Sequence, residues 1–216
     1  MIHRIATVVF AAALSLMQVG CGASTMSARI TNANHALAEI NTLEKKPSAQ
    51  VMKEAKGVAI LIVAQGGIGI GGEGGGGVVL KRVGGGWGAP YGIDAAAGTI
   101  GAQLGGQGKD VLIVFHDEAA MQEFVRGGMH LQAVAEGTGG SANGDTRSQK
   151  VGYTYFVKGS GLYGGAELGG LNFSPANKVN AETYGSMATS GEILDGKVKK
   201  PDGLSSLTGA LDAMAR

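Results

Sequence analysis

The stretch Gly66–Arg82, GGIGIGGEGGGGVVLKR, decides how the rest of the chain is read. It contains two overlapping G-x-G-x-x-G spellings, at Gly67, Gly69 and Gly72 and at Gly69, Gly71 and Gly74, the letters of a dinucleotide-binding loop. Such a loop works because the glycine turn opens a helix whose N-terminal amides receive the pyrophosphate. Here the glycines run on into GVVLKR, which is rich in β-branched residues. The glycine run at 74–77 would also start a helix badly, since each glycine costs about 1 kcal/mol relative to alanine. A phosphate loop needs Lys followed by Ser or Thr directly after the glycines, and that step is not present. The stretch therefore reads as a glycine-bent strand pair, led in by the apolar run GVAILIVA at 57–64.

Composition extends that reading to the whole chain. Glycine supplies 40 of the 216 residues, against about 7% in average proteins. Only 4 prolines accompany them, the glycines have no three-residue period, and they alternate with β-branched and aromatic residues. This is a strongly curved or closed β structure, not a solvated linker. Further strands are expected at 110–115 (DVLIVF), 152–158 (GYTYFVK) and 161–168 (GLYGGAEL).

Helices are expected at both ends. Met26, Ile30, Ala33, Leu37 and Ile40 form one stripe within 25–43. A short helix follows from about Ser48 to Lys56, with Gly57 as its stop, and the chain closes on a helix carrying Leu204, Leu207, Leu211 and Met214. One internal helix starts at Asp117, turns Met121, Phe124 and Val125 inward, and ends at Gly127. Residues 137–150 read as a polar loop or hairpin tip. The fold class is α+β: a glycine-rich, curved, mainly antiparallel sheet or barrel-like core over 57–185 between helices at 25–56 and a tail and helix at 186–216.

The first residues have the layout of a secretory signal: His3 and Arg4, an apolar run from Ile5 to about Met17, then small residues through 24. The run is too short to span a membrane as a helix. Cys21, the single cysteine, cannot form an internal disulfide. Its context QVGC resembles a bacterial lipobox, with Gln18 departing from the usual aliphatic residue, and cleavage near Ala23 or Ser24 is the alternative. A lipid on Cys21 would tether the chain to a membrane surface. Gly22 in place of aspartate points to the outer membrane, periplasmic side, with a soluble periplasmic or secreted protein as the alternative.

Catalytic chemistry is not indicated. His35, His116 and His130 lack metal-ligand spacing, there is no G-x-S-x-G elbow, and the spacing of Glu73, Asp94, Glu118 and Glu136 favours no carboxylate pair. No metal and no cofactor is expected, and a net charge of +1 argues against a broad nucleic-acid surface.

Several segments in order, AKGVAILIV (55–63), Gly66–Arg82, GGWGAPYGIDAAAGTIGAQLGGQGKDVLIVF (85–115), GSGLYGGAELGG (159–170), NKVNAETYG (177–185) and GEILDGKVKKP (191–201), resemble the SYLF family of lipid-binding domains. The W-x-A-P step at Trp87–Pro90 and the later G-L-Y step carry most of that resemblance. Where family members often have serines in this step, the chain has Gly88 and Tyr91. The resemblance implies a non-catalytic module that binds anionic phospholipids, phosphoinositides among them. Actin binding, described for eukaryotic members, is set aside because the export signal is of bacterial type.

Cations near strand and helix ends are the candidates for headgroup contact: Lys53, Lys56, Lys81, Arg82 and Lys158. Trp87 and Tyr91 are candidates for the headgroup level, where amphipathic rings are favoured. The plain alternative is that the lysines are solvated element ends and Trp87 is core. A structural envelope protein that associates with itself or a partner is the second functional reading, and an enzyme on lipid or glycan the third.

Overall fold

The computed structural model describes residues 25–128, 130–132, 143–144, 152–164 and 170–216. The export signal, Cys21, Glu136 and most of the 137–150 loop lie outside the described residues. The expected α+β class is observed: an open, antiparallel sheet with helices grouped toward the chain ends. Its strands are β1 (Gly57–Val83), β2 (Gly86–Trp87), β3 (Tyr91–Phe115), β4 (His130–Gln132), β5 (Asn143–Gly144), β6 (Tyr153–Gly164) and β7 (Gly170–Pro175). The helices are α1 (Met26–Ile40), α2 (Ala49–Glu54), α3 (Glu118–Val125), α4 (Asn177–Tyr184), α5 (Ser190–Leu194) and α6 (Leu204–Met214).

β1 and β3 form one long ribbon, pairing from Gly57 opposite Phe115 to Val79 opposite Tyr91, with one irregularity between Ile68 and Ile70. β3 is the central strand; its other edge holds β6 along 104–115 and β7 along 93–96. What reads as two apolar runs separated by glycine is thus one strand. The same holds for GYTYFVK and the first half of GLYGGAEL, which join in β6.

The ribbon buries both faces, which explains a continuous apolar run where an alternating one would mark a wet face. Ala59, Leu61, Val63, Val111, Ile113 and Phe115 point to one side and pack with Met121 and Phe124 of α3 and Ile193 of α5. Val58, Ile60, Val78, Leu80, Leu112 and Val114 point to the other and meet α1 and α6 through Ile30, Leu37, Leu207 and Leu211.

The glycines serve close approach between the limbs of this ribbon. A Cβ at Gly75 would overlap the Ile62 carbonyl oxygen and lie 2.8 Å from Val63 Cα; one at Gly77 would overlap the Ile60 carbonyl oxygen and lie 2.8 Å from Leu61 Cα. Edge carbonyls of the first limb of β1 therefore rest on the bare face of its second limb, where only glycine leaves room.

Three elements differ from the sequence reading. Gly57 is the first residue of β1, not a helix stop: Ala55 already turns extended, and a Cβ at Gly57 would run into Met121 Sδ and come within 2.8 Å of the Leu80 carbonyl oxygen. Helix α4 lies inside the segment assigned to the β core. Its apolar stripe is short, with Val179 and Asn180 its buried residues, so periodicity gave no signal. The third is α5, a five-residue helix opened by a capping box between Thr189 and Glu192, within what reads as tail.

Candidate functional site

The segment Trp87–Gly92 is held at nearly every residue. The Trp87 indole N–H donates to Asp212 Oδ1 of α6 (2.9 Å) and the Lys200 amine donates to its carbonyl (2.7 Å). Gly88 N–H donates to Lys81 O (2.9 Å) and Ala89 N–H to Ile193 O (3.0 Å). On α4, the Tyr184 hydroxyl donates to Pro90 O (2.6 Å). Four residues earlier on the same helix, Asn180 grips Gly92 from both sides, accepting from its N–H (2.8 Å) and donating to its carbonyl (3.0 Å), as a neighbouring strand would. The i, i+4 spacing puts both side chains on one helical face. Burial holds the Tyr184 phenol far above its ordinary pKa and raises that of Tyr91.

The same segment explains the glycine at 88. A Cβ there would overlap the Leu194 carbonyl oxygen and sit 2.8 Å from its carbon, because the end of α5 rests directly on it. Serine at this position requires α5 to move.

Beside this segment lies a charged corner. Arg82 stacks over Trp87, with the guanidinium carbon 4.0 Å from the ring centroid, donates to Met52 O at the end of α2 (3.0 Å), and approaches Asp212 (3.4 Å). The Lys81 amine bonds both Glu118 and Asp195 (2.9 Å to the latter), which raises its pKa, Glu118 contributing most. Asp195 is held below the ordinary carboxylate range, first by Lys81 and then by Lys197 at 3.2 Å. An open cleft of about 460 Å³ adjoins the corner, lined by Gly86, Trp87, Lys200, the 201–203 turn and, on α6, Leu204, Ser205, Thr208 and Asp212.

The sequence candidates divide on this geometry. Trp87 and Tyr91 are buried at 4% and 7% exposure, so neither ring is presented at a surface; the tight packing of 87–92 against α4, α5 and α6 is the reason. Lys81 and Arg82 are engaged by internal carboxylates, and Lys158 by Glu39 (2.5 Å) and Thr42 (2.6 Å) of the α1 end. Lys53 and Lys56 are exposed, and with Lys199 have no carboxylate partner among the described residues. Lys197 and Lys200 belong to the same corner, which holds the carboxylates of Glu118, Glu192, Asp195 and Asp212 as well. Lys199 and Lys200 were not singled out from the sequence, although GKVKK at 196–200 is a visible basic run.

Buried charged groups elsewhere are ion-paired. Arg29, 3% exposed within the apolar stripe of α1, donates to the carbonyls of Gly77 (3.2 Å) and Ile93 (2.6 Å), which are ribbon partners, and pairs with Asp94 (2.5 Å). Gly76 makes room for it, since a Cβ there would lie 2.7 Å from the guanidinium. Glu73 pairs with Lys109 inside the ribbon. His116 Nε2 lies 2.8 Å from the Thr154 hydroxyl, and no cluster of three or more metal-binding side chains occurs among the described residues. No helix among them is long and apolar enough to cross a membrane.

Comparison with known proteins gives a consistent result. A family described as "Ysc84: Las17-binding protein actin regulator" matches residues 96–214. The chain is 30% identical over 199 residues to "SH3 domain-containing YSC84-like protein 1" of Xenopus laevis, covering 88% of this chain and 59% of that protein. It is 29% identical over 174 residues to "Protein YSC84" of Saccharomyces cerevisiae, covering 76% and 37%. To the yeast "LAS seventeen-binding protein 3" it is 26% identical over 174 residues, covering 76% and 38%. The chain thus spans between about a third and three fifths of these relatives' own length. No solved structure matches. The family description names Las17 and actin, and one yeast relative is named for LAS seventeen binding; these names count against setting actin aside on sequence grounds alone.

Proposed function

Because the chain belongs to the Ysc84 (SYLF) family, we propose that it is a non-catalytic, membrane-tethered module that binds anionic phospholipid headgroups in a bacterial envelope. The observation that carries this reading is a set of exposed cations: Lys53, Lys56 and Lys199 have no carboxylate partner among the described residues and lie on segments hydrogen-bonded to Arg82 or Trp87. Cations of this kind each contribute about 1 kcal/mol near an anionic surface, within a Debye length. Lys81, Arg82 and Lys158 hold elements together in this scheme, and Trp87 and Tyr91 support the corner from inside.

The test is co-sedimentation of residues 25–216, which lack the signal and Cys21 and so carry no anchor, with vesicles of phosphatidylcholine alone or mixed with phosphatidylglycerol. Binding should require the anionic lipid, weaken with salt, and fall when Lys53, Lys56 and Lys199 are changed to glutamate together. Equal recovery on both vesicles refutes the reading. The tether is a separate element of the proposal: Cys21→Ser should move the chain from the outer-membrane fraction to the soluble periplasm, and an unchanged distribution removes the lipid from Cys21.

A second reading follows from the family description, which names actin regulation. Pelleting with filamentous actin in the absence of lipid distinguishes it. Saturable binding to filaments with no preference for anionic vesicles would favour a protein-binding module.

A further inference from the structure

Two large apolar side chains stand out as exposed among the described residues, Val83 at 36% and Met187 at 90%. Their settings differ. Met187 lies on the link between α4 and α5. Val83 ends β1, pairs with Gly86, and opens the turn Gly84–Gly85, whose φ angles are +56° and +83°. A Cβ at either turn glycine would meet nothing within 4 Å, so the tip stands clear of the rest of the molecule.

The base of this tip is fixed and cationic. Arg82 stacks on Trp87 across the hairpin, and both reach Asp212 of α6. The Arg82 amide donates to Lys56 O (2.8 Å) and the Lys200 amine to Trp87 O (2.7 Å), which brings the α2 end and the 199–200 segment to the two sides of the hairpin. Lys53, Lys56 and Lys199, all exposed, therefore lie on the segments that flank the root of a narrow tip whose side chains are one valine and two hydrogens.

We infer that Val83–Gly84–Gly85 is the point at which the chain enters the interfacial layer of an anionic bilayer, with Lys53, Lys56 and Lys199 meeting the surrounding headgroups. The inference rests on the lipid-binding reading above and adds which surface touches lipid. Shape and charge agree on this occupant. A tip without polar side chains loses little hydration on shallow entry, and its backbone groups stay where water still reaches them. Long lysine stems around it keep their charges at headgroup level while lying along apolar surface. A flat, rigid protein partner would be held off by the tip, with gaps around it; a fluid lipid layer closes around it.

The experiment uses the full chain carrying Val83→Trp, followed by fluorescence on adding phosphatidylcholine vesicles with or without phosphatidylglycerol. The native Trp87 is buried, so the parent chain supplies a constant background. The expected result is a blue shift and protection from acrylamide in the Val83→Trp chain, with anionic vesicles only, and no shift in Met187→Trp. Val83→Asp should raise the apparent Kd for these vesicles about tenfold while leaving the thermal melt unchanged, since the side chain is exposed. Vesicle pelleting that persists with an unshifted Trp at 83, or with a shift at 187 alone, overturns the inference and leaves the lipid-binding reading standing. No pelleting of the parent chain overturns both.

Discussion

Two groups of glycines lie on or just beyond the same strand and do opposite things. At 75–77 the chain passes from half-buried to buried, and each missing Cβ is a place taken by another part of the backbone or by Arg29. At 84–85 the chain is open, and the missing Cβ would touch nothing; there glycine serves the positive φ of a two-residue hairpin turn. The first group holds the ribbon's two limbs together. The second frees a tip. Identical letters a few residues apart thus answer to packing in one place and to backbone conformation in the other.

That contrast can be broken most directly at Gly77. Gly77→Ala should cost about 3 kcal/mol in urea denaturation, the upper range for overpacking a tight interior, because backbone and not a flexible side chain occupies the space. A loss below about 0.5 kcal/mol, typical of neutral surface positions, would mean that the limbs are not in contact. Arg29→Met comes next, at about 3 kcal/mol, since it leaves the Gly77 and Ile93 carbonyls without this donor and Asp94 without its cation. Gly76→Ala in the same background should then be less harmful than in the parent, and equal costs would uncouple the two residues.

Between the extremes lies the clasp on Pro90. Tyr184→Phe removes one hydrogen bond, about 1 kcal/mol at neutral pH. Its pH signature is separate. Burial raises the folded-state pKa above the ordinary value near 10, so the folded chain keeps a proton that the unfolded chain releases. Stability from this group is constant below that pH and falls as pH rises through and above it. The phenylalanine variant should lose less stability between neutral and strongly alkaline pH than the parent; parallel curves would contradict the burial of the phenol. At the open turn, Gly85→Ala should cost about 1 kcal/mol for its positive φ alone. The smallest effect is of opposite sign: Gly209→Ala, with open space on α6, should stabilise by roughly 0.5–1 kcal/mol.

Much of the fold was legible because its signals are local. The stripe of α1, the Asp117 cap of α3, the Leu204–Leu207–Leu211 stripe of α6 and the rejection of a nucleotide loop each depend on neighbours within a few turns of chain. α4 and α5 were not legible, one having a weak apolar pattern and the other only five residues. The candidate site was half legible. Lys53 and Lys56 are as exposed as element ends should be, whereas Lys81, Arg82 and Lys158 meet carboxylates 37, 130 and 119 positions away in sequence. Spacing along the chain carries no record of such encounters.

The sequence alone determined that this chain makes a glycine-rich, curved antiparallel sheet with amphipathic helices toward its ends, and that its glycines lead to a strand, not to a helix that could hold a nucleotide. Tertiary structure alone decided why those glycines are there, which cations remain available to a partner, and that Arg29, Asn180 and Tyr184 hold the ribbon and the Trp87–Gly92 segment in place. The physical reason is range. Periodicity, caps and turn residues act through bonds a few residues long, while steric exclusion and ion pairing depend on where distant residues meet, which exists only once the chain has folded.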